Sequence, residues 1–325
     1  MNPAFSVIFL TTLIGVGQGL FLALFTAESY AAFGLLPPQE GGFYAAGSFM
    51  ASAFLVAGLA ASFFHLGHPE RAWRAATQWR TSWLSREVVV LPAFMTTVLI
   101  YGVVHKFGLN PVLARLPSGA PVNVTAILGV AGTVLAFALF VCTAMIYACL
   151  RFLREWHTPW TVVNYILLGG ASGFTLAAGL AAIAAPSLAG FLGGWAIILT
   201  VLAFVGRSAS LLRNARLKPK STLQTAIGVK HPRIVQKAQG AMGGSFNTRE
   251  FFHGRPARWL RAIRWVFLLL VFPVPILLIV AGEALASVAT MFLAFCLQYV
   301  GLLAERWFFF AQANHPQNLY YQAVS

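Results

Sequence analysis

The sequence predicts an all-α polytopic membrane protein, a bundle of eight transmembrane helices. Three observations predict it. Of the 325 residues, 59% are hydrophobic. Only 9% are charged, against about 25% in soluble domains. Apolar runs of about 20 residues, enough to cross ~30 Å of hydrocarbon as helix, recur eight times along the chain. The eight acids are all glutamate, and a soluble fold of this size could not cover its core with so few charges.

The first run, near 5–27, opens with "MNPAFSVIFLTTLIGVGQGL". It lacks a basic leader and continues past the apolar length of a cleaved signal, so it is read as a retained span. Runs near 44–65, 87–107 and 122–150 follow, the last long enough to tilt or to project from the bilayer. Two more lie near 160–183 and 188–208, and after about 55 residues the last two lie near 264–282 and 285–305. Glycine and alanine crowd the first and fifth spans, in "GVGQG" and "LLGGASG", which predicts close helix contact there. The short alternating strands of a β-barrel are not seen. Cys142, Cys149 and Cys296 lie in apolar runs without metal-ligand spacing and read as small core residues. The whole chain, 1–325, reads as one membrane domain.

Charge sets the orientation. With eight spans, both termini and the second, fourth and sixth connections share one side, and that side holds 20 of the 22 Lys and Arg. The other side holds Lys106 and Arg115, with Glu28 and Glu40. Without the sixth connection the split is still eight to two. The positive-inside rule then places both termini in the cytoplasm of a bacterial inner membrane. The sixth connection, 213–262, is a basic cytoplasmic loop. Its plainer reading is a solvated segment against anionic lipid. Its sharper reading rests on "GGSFNTREFFHG", where Phe246, Arg249, Phe251 and Phe252 among turn-formers suggest an ordered docking surface for a partner. Nucleic acid is a poor partner, because the positive charge follows topology rather than a soluble domain.

The stretch "HLGHPERAWRAATQWRTSWLSRE", residues 65–87, sets two histidines, two glutamates and four arginines at the cytoplasmic rim. His65 ends the second span and Glu87 opens the third, which places both at one depth on neighbouring helices. Ionisable groups at such depth are costly and tend to be functional. A neutral imidazole hydrogen-bonds a carbonyl and a nearby carboxylate moves a proton, the pairing that quinone chemistry needs. The plainer reading has His65 capping its helix and Glu87 pairing with Arg86 or Arg71. His68, Glu70, Arg71 and Arg74 read equally as loop salt bridges, and Trp73, Trp79 and Trp83 as an interfacial belt. A bis-histidine haem b would need histidines facing each other across two helices. His65 and His157 both lie near the rim and no pair sits at mid-depth, so haem b is the less favoured reading and stays open.

These residues carry a family resemblance. The His-Leu-Gly-x-Pro-x-Arg-Ala stretch followed by Leu-Ser-x-Glu resembles the signature of the DMSO reductase anchor subunits, the DmsC family. That resemblance implies an eight-helix anchor bound to an iron–sulfur subunit and a molybdopterin catalytic subunit, with those cofactors only in the partners. It assigns quinone binding, whether ubiquinone or menaquinone, to His65 and Glu87, with His68 and Arg71 as neighbours. The long basic sixth connection departs from the short-looped reductase anchors. It resembles the SoeC branch, which serves SoeABC-type cytoplasmic sulfite dehydrogenases. That branch implies quinone reduction during sulfite oxidation rather than quinol oxidation. Two other classes stay open at this point. One is a transporter, against which stand the absence of evident inverted repeats with broken helices and of acids near mid-span. The other is a structural anchor in which His65 and Glu87 only position the loop.

Overall fold

The computed structural model describes residues 5–117, 119–218, 222–235 and 257–313. In chain order the helices are α1 (Phe5–Ala32), α2 (Gly41–Phe63), α3 (Trp83–Phe107), α4 (Val124–Ala148), α5 (Pro159–Ala184) and α6 (Ala189–Ala215). A short α7 (Leu223–Ile227) lies in the sixth connection, followed by α8 (Ala257–Val271), α9 (Pro273–Ala284) and α10 (Val288–Ala311). Together they supply eight candidate membrane spans, α8 and α9 sharing the seventh.

Local chemistry fixes the helix ends. Ser82, Asn123 and Ser287 each accept a backbone N–H from the residue three positions on, opening α3, α4 and α10. Thr158 caps α5, where Pro159 sits at the first helical position and gives up no hydrogen bond. Gly108 closes α3 in the left-handed region. Between α3 and α4, β1 (Val112–Arg115) and β2 (Pro121–Asn123) form a small antiparallel hairpin that the apolar patterning does not announce.

The core is organised around α1 and α5, the two most buried spans. α2, α3 and α4 pack on one flank, and α6, α8, α9 and α10 on the other. The small residues of the first and fifth spans bring two backbones almost into contact. A Cβ added at Gly173 would collide with the Gly19 backbone, and one added at Gly19 would collide with the Gly169 carbonyl oxygen. In a bilayer, where apolar surface alone drives little association, such approach supplies the packing contacts that hold helices together.

Two features differ from the sequence reading. The seventh span is broken, because Pro275 has no N–H for the carbonyl of Val271, four residues earlier. Gln298 on α10 meets that carbonyl instead, its Nε2 donating at 3.2 Å and also reaching Thr200 Oγ1 at 3.3 Å. The backbone group freed by the proline is thus satisfied from inside the bundle, as the absence of water requires. Of the cysteines, Cys142 is buried but Cys149 and Cys296 are exposed, the first at the end of α4 and the second on an outward side of α10.

The glycine seam gives a direct test. Gly173→Ala forces α1 and α5 apart and should cost about 1–3 kcal/mol, read as a lower unfolding midpoint in detergent. Gly170→Ala, whose Cβ would meet only Leu199 Cδ1 at 3.5 Å, should leave the midpoint unchanged.

Candidate functional site

The rim between α2 and α3 is where sequence and structure can be compared most closely. α2 stops at Phe63, so His65 lies two residues beyond the helix and is exposed. Partial desolvation there pushes its imidazole below the ordinary value, which favours the neutral ring. α3 starts at Trp83, which places Glu87 one turn inside the helix rather than at its opening. Glu87 is 6% exposed. Its partner is Thr143 on α4, whose hydroxyl donates to Glu87 Oε1 at 2.5 Å. His65 and Glu87 thus occupy one end of neighbouring helices at different depths, and among the described residues no hydrogen bond or ion pair joins them.

The rest of the rim is solvated. His68 Nδ1 and Arg71 Nε lie 3.1 and 3.6 Å from Glu70 Oε1, all three side chains exposed. Arg86 does not pair with Glu87. Its Nε and Nη2 donate to the Trp79 and Arg80 carbonyls at 3.0 and 2.8 Å, and its guanidinium lies 4.2 Å from the Trp83 ring centre. These contacts belong to residues 69–78, a 3-10 segment, and the turn after it. His157 also has a local partner, the carbonyl of Ala148 at the end of α4, 2.6 Å from Nδ1. The expected docking residues Phe246, Arg249, Phe251 and Phe252 lie outside the described residues.

A second polar group stands deeper at the same end of the bundle. Arg207 of α6 and Glu305 of α10 are 2% and 1% exposed, and Arg207 Nε lies 2.7 Å from Glu305 Oε1. Arg306 Nε lies 3.4 Å from Glu305 Oε2. The guanidinium of Arg306 covers the Tyr165 ring at 3.9 Å, and Arg207 stands 5.5 Å from the Phe267 ring centre. One carboxylate therefore serves two arginines, with aromatic faces taking part of the remaining charge. Nearby, Asn164 donates to Ser210 Oγ at 2.8 Å.

At the opposite end, Glu28 is enclosed by α1, α3 and α4. It accepts from the Tyr101 hydroxyl at 2.5 Å and from Thr125 Oγ1, with His105 Nε2 3.5 Å away. The His105 ring stacks on Tyr44 of α2, ring centres 4.7 Å apart. Asn110 holds Thr125 from the loop, through its backbone N–H at 3.0 Å and its hydroxyl at 2.9 Å.

Neither buried cluster is anticipated from the sequence. Glu28 counts there as a loop charge because the first run fades near residue 27, whereas α1 continues to Ala32. Arg207, Glu305 and Arg306 stand at the ends of apolar runs, where a charge ordinarily reaches water, yet α6 and α10 extend past them to Ala215 and Ala311. The usable signal is "VGRSAS" and "LLAERWFFF", one charge and one adjacent pair with apolar or small residues on both sides.

Comparison with known proteins shows the family. The family model of the DMSO reductase anchor subunit (DmsC) matches residues 1–321. The C subunit of the sulfite dehydrogenase of Allochromatium vinosum is 59% identical over 325 residues, which is 100% of both chains.

The buried arginines give an ordering of variants. Glu305→Gln leaves two buried guanidiniums without a carboxylate and should cost about 3–5 kcal/mol. Arg207→Met leaves Glu305 its contact with Arg306 and should cost less. Unfolding in mixed detergent micelles measures the two, and equal losses would contradict the shared-carboxylate arrangement.

Proposed function

The chain belongs to the DMSO reductase anchor subunit family, and from that membership we propose that it hands electrons from cytoplasmic sulfite oxidation to a membrane quinone. It is a membrane anchor subunit of a sulfite dehydrogenase or DMSO reductase-type complex. In the proposed complex an iron–sulfur subunit and a molybdopterin catalytic subunit dock on the basic end, which faces the cytoplasm of a bacterial inner membrane. The full-length likeness to the C subunit of a sulfite dehydrogenase supports sulfite as the electron source.

The observation that carries the quinone site is a buried carboxylate, Glu87 of α3, at the same end of the bundle as the exposed imidazole of His65 after α2. A carboxylate at 6% exposure, held by one neutral hydroxyl and no cation, is costly to keep charged and suited to taking up a proton. His65, at the membrane rim with a ring that favours the neutral state, suits a hydrogen bond to one quinone carbonyl. Quinone reduction takes two electrons and two protons. His65 then orients the ring, and Glu87 delivers protons to it. The rim position also keeps the ring near a docked iron–sulfur partner.

Two measurements test this reading. In the assembled complex His65→Ala should abolish sulfite-dependent quinone reduction, while an artificial dye still draws electrons from the partner subunits. Glu87→Gln should keep quinone bound and slow its reduction at least tenfold, within the range of general acid–base effects. Normal quinone-coupled rates in both variants would make the pair structural. For the orientation, cysteines placed at Arg151 and at Arg115 should differ in intact cells. Only the one at Arg115 is expected to react with a membrane-impermeant thiol reagent, and labelling at Arg151 instead would reverse the docking side.

A further inference from the structure

A carboxylate that delivers protons to a quinone must be reprotonated after each delivery. Glu87 is poorly placed to draw on the rim. It is buried, and neither His65 nor Arg86 bonds to it. The hydroxyl that does bond to it is that of Thr143 on α4. The Thr143 side chain lines an internal cavity between α1, α4, α5 and α10, together with Thr11, Thr12, Gln18, Tyr165 and Arg306. Arg306 also lines a second cavity, where it is joined by Glu305, Arg207, Asn164, Glu155 and Gln312. Each cavity has room for about one water molecule.

The second cavity ends among half-buried groups at the basic end of the bundle. Glu155 belongs to the fourth connection and Asn214 to the last turn of α6, and Asn214 Nδ2 donates to the Glu155 carbonyl at 3.4 Å. Several buried polar atoms in this cavity have no hydrogen-bond partner among the described residues: Asn164 Oδ1, Arg207 Nη2, Glu155 Oε2 and Gln312 Nε2. Leaving four such groups dry in a membrane interior is unfavourable, and water is the small molecule that satisfies donors and acceptors alike. Charge also permits passage. Glu305 is paired with Arg207 and Arg306, and Glu155 lines the same cavity, so two carboxylates and two guanidiniums stand along its walls.

We propose that protons reach Glu87 through the interior of the bundle, entering at Glu155 and passing Glu305, Arg306 and the Thr143 hydroxyl by way of bound water. This rests on the reading of Glu87 as the proton-delivering group of the quinone site. For each quinone reduced, two electrons arrive from the docked partner and two protons arrive by this route, giving one quinol. Thr143 is the inner step: its hydroxyl donates to Glu87, and a water bound in the cavity would donate to the same oxygen, so it exchanges one proton for another without storing charge.

The test uses the purified three-subunit complex in nanodiscs with a soluble quinone analogue, each rate divided by the dye-linked rate of the same preparation. Thr143→Val keeps the shape and removes the hydroxyl. It should lower quinone reduction about tenfold and raise the solvent deuterium isotope effect, as Glu87→Gln does. Thr143→Ser, which restores the hydroxyl, should return both to wild-type values. Glu155→Gln, distant from Glu87, should reproduce the slow rate and the raised isotope effect, and it keeps the proposal testable if Thr143→Val fails to assemble. Normal behaviour of Glu155→Gln beside a slow Thr143→Val would mean that Thr143 merely positions Glu87, and the interior route would be wrong. A slow Glu87→Gln with wild-type Thr143→Val and Glu155→Gln would overturn the route while leaving the quinone site standing. Wild-type behaviour of Glu87→Gln would overturn the site and the route with it.

Discussion

The approach of α1 to α5 at Gly19, Gly169 and Gly173 is the contact on which the other packing depends, because it brings two backbones as close as their atoms allow. In lipid the helices gain little by hiding apolar side chains from one another, so adhesion comes from dense contact and from polar groups satisfied within the protein. The seam supplies the first. With α1 and α5 fixed, α4 and α10 are both carried against the pair, and the polar side chains of four helices converge at one end. The cavities beside Tyr165 and Arg306 exist because large and small residues meet there. Gly15 and Ser172 line the first of them beside Leu302, and the Phe140 ring takes up the space at Gly169.

The charges obey a second constraint: none can stay in the hydrocarbon without a partner. Glu305 answers it by serving two arginines, Glu28 by accepting from two hydroxyls with an imidazole nearby. Glu87 answers it differently, with one neutral donor and no cation. This contrast separates structural carboxylates from one suited to gaining and losing a proton. Burial alone would not separate them, since Glu87 and Glu305 are both almost fully covered.

Much of this was legible in the sequence. The eight spans and the close packing of the first and fifth follow from run length and small-residue content. What was not legible depends on depth and direction. His65 and Glu87 look level when helix ends are read from hydropathy, but α2 ends before His65 and α3 begins before Glu87. Periodicity does not say that Glu87 turns toward Thr143, because threonine in an apolar run ordinarily bonds its own helix, as Thr11, Thr12 and Thr175 do here. Arg207 and Glu305 were hidden by the opposite error, since charges near the end of a run suggest water nearby. The prolines of "FPVP" were visible. Their effect was not, because the repair comes from Gln298 on another helix.

The cluster around Glu28 has a mechanical meaning. It bolts α1, α3 and α4 together at the far end, with the Tyr44 ring of α2 pressed on His105 and the β1–β2 hairpin bracing the α3–α4 junction. At the rim end residues 64–82 carry the chain from α2 to α3, and their own 3-10 turns bury no side chain. The polar ties of α3 thus differ at its two ends: Glu28 gathers Tyr101, Thr125 and His105 at the far end, and the Thr143 hydroxyl meets Glu87 near the rim. A force prying α3 from the bundle would meet more polar contacts at the far end than near the rim.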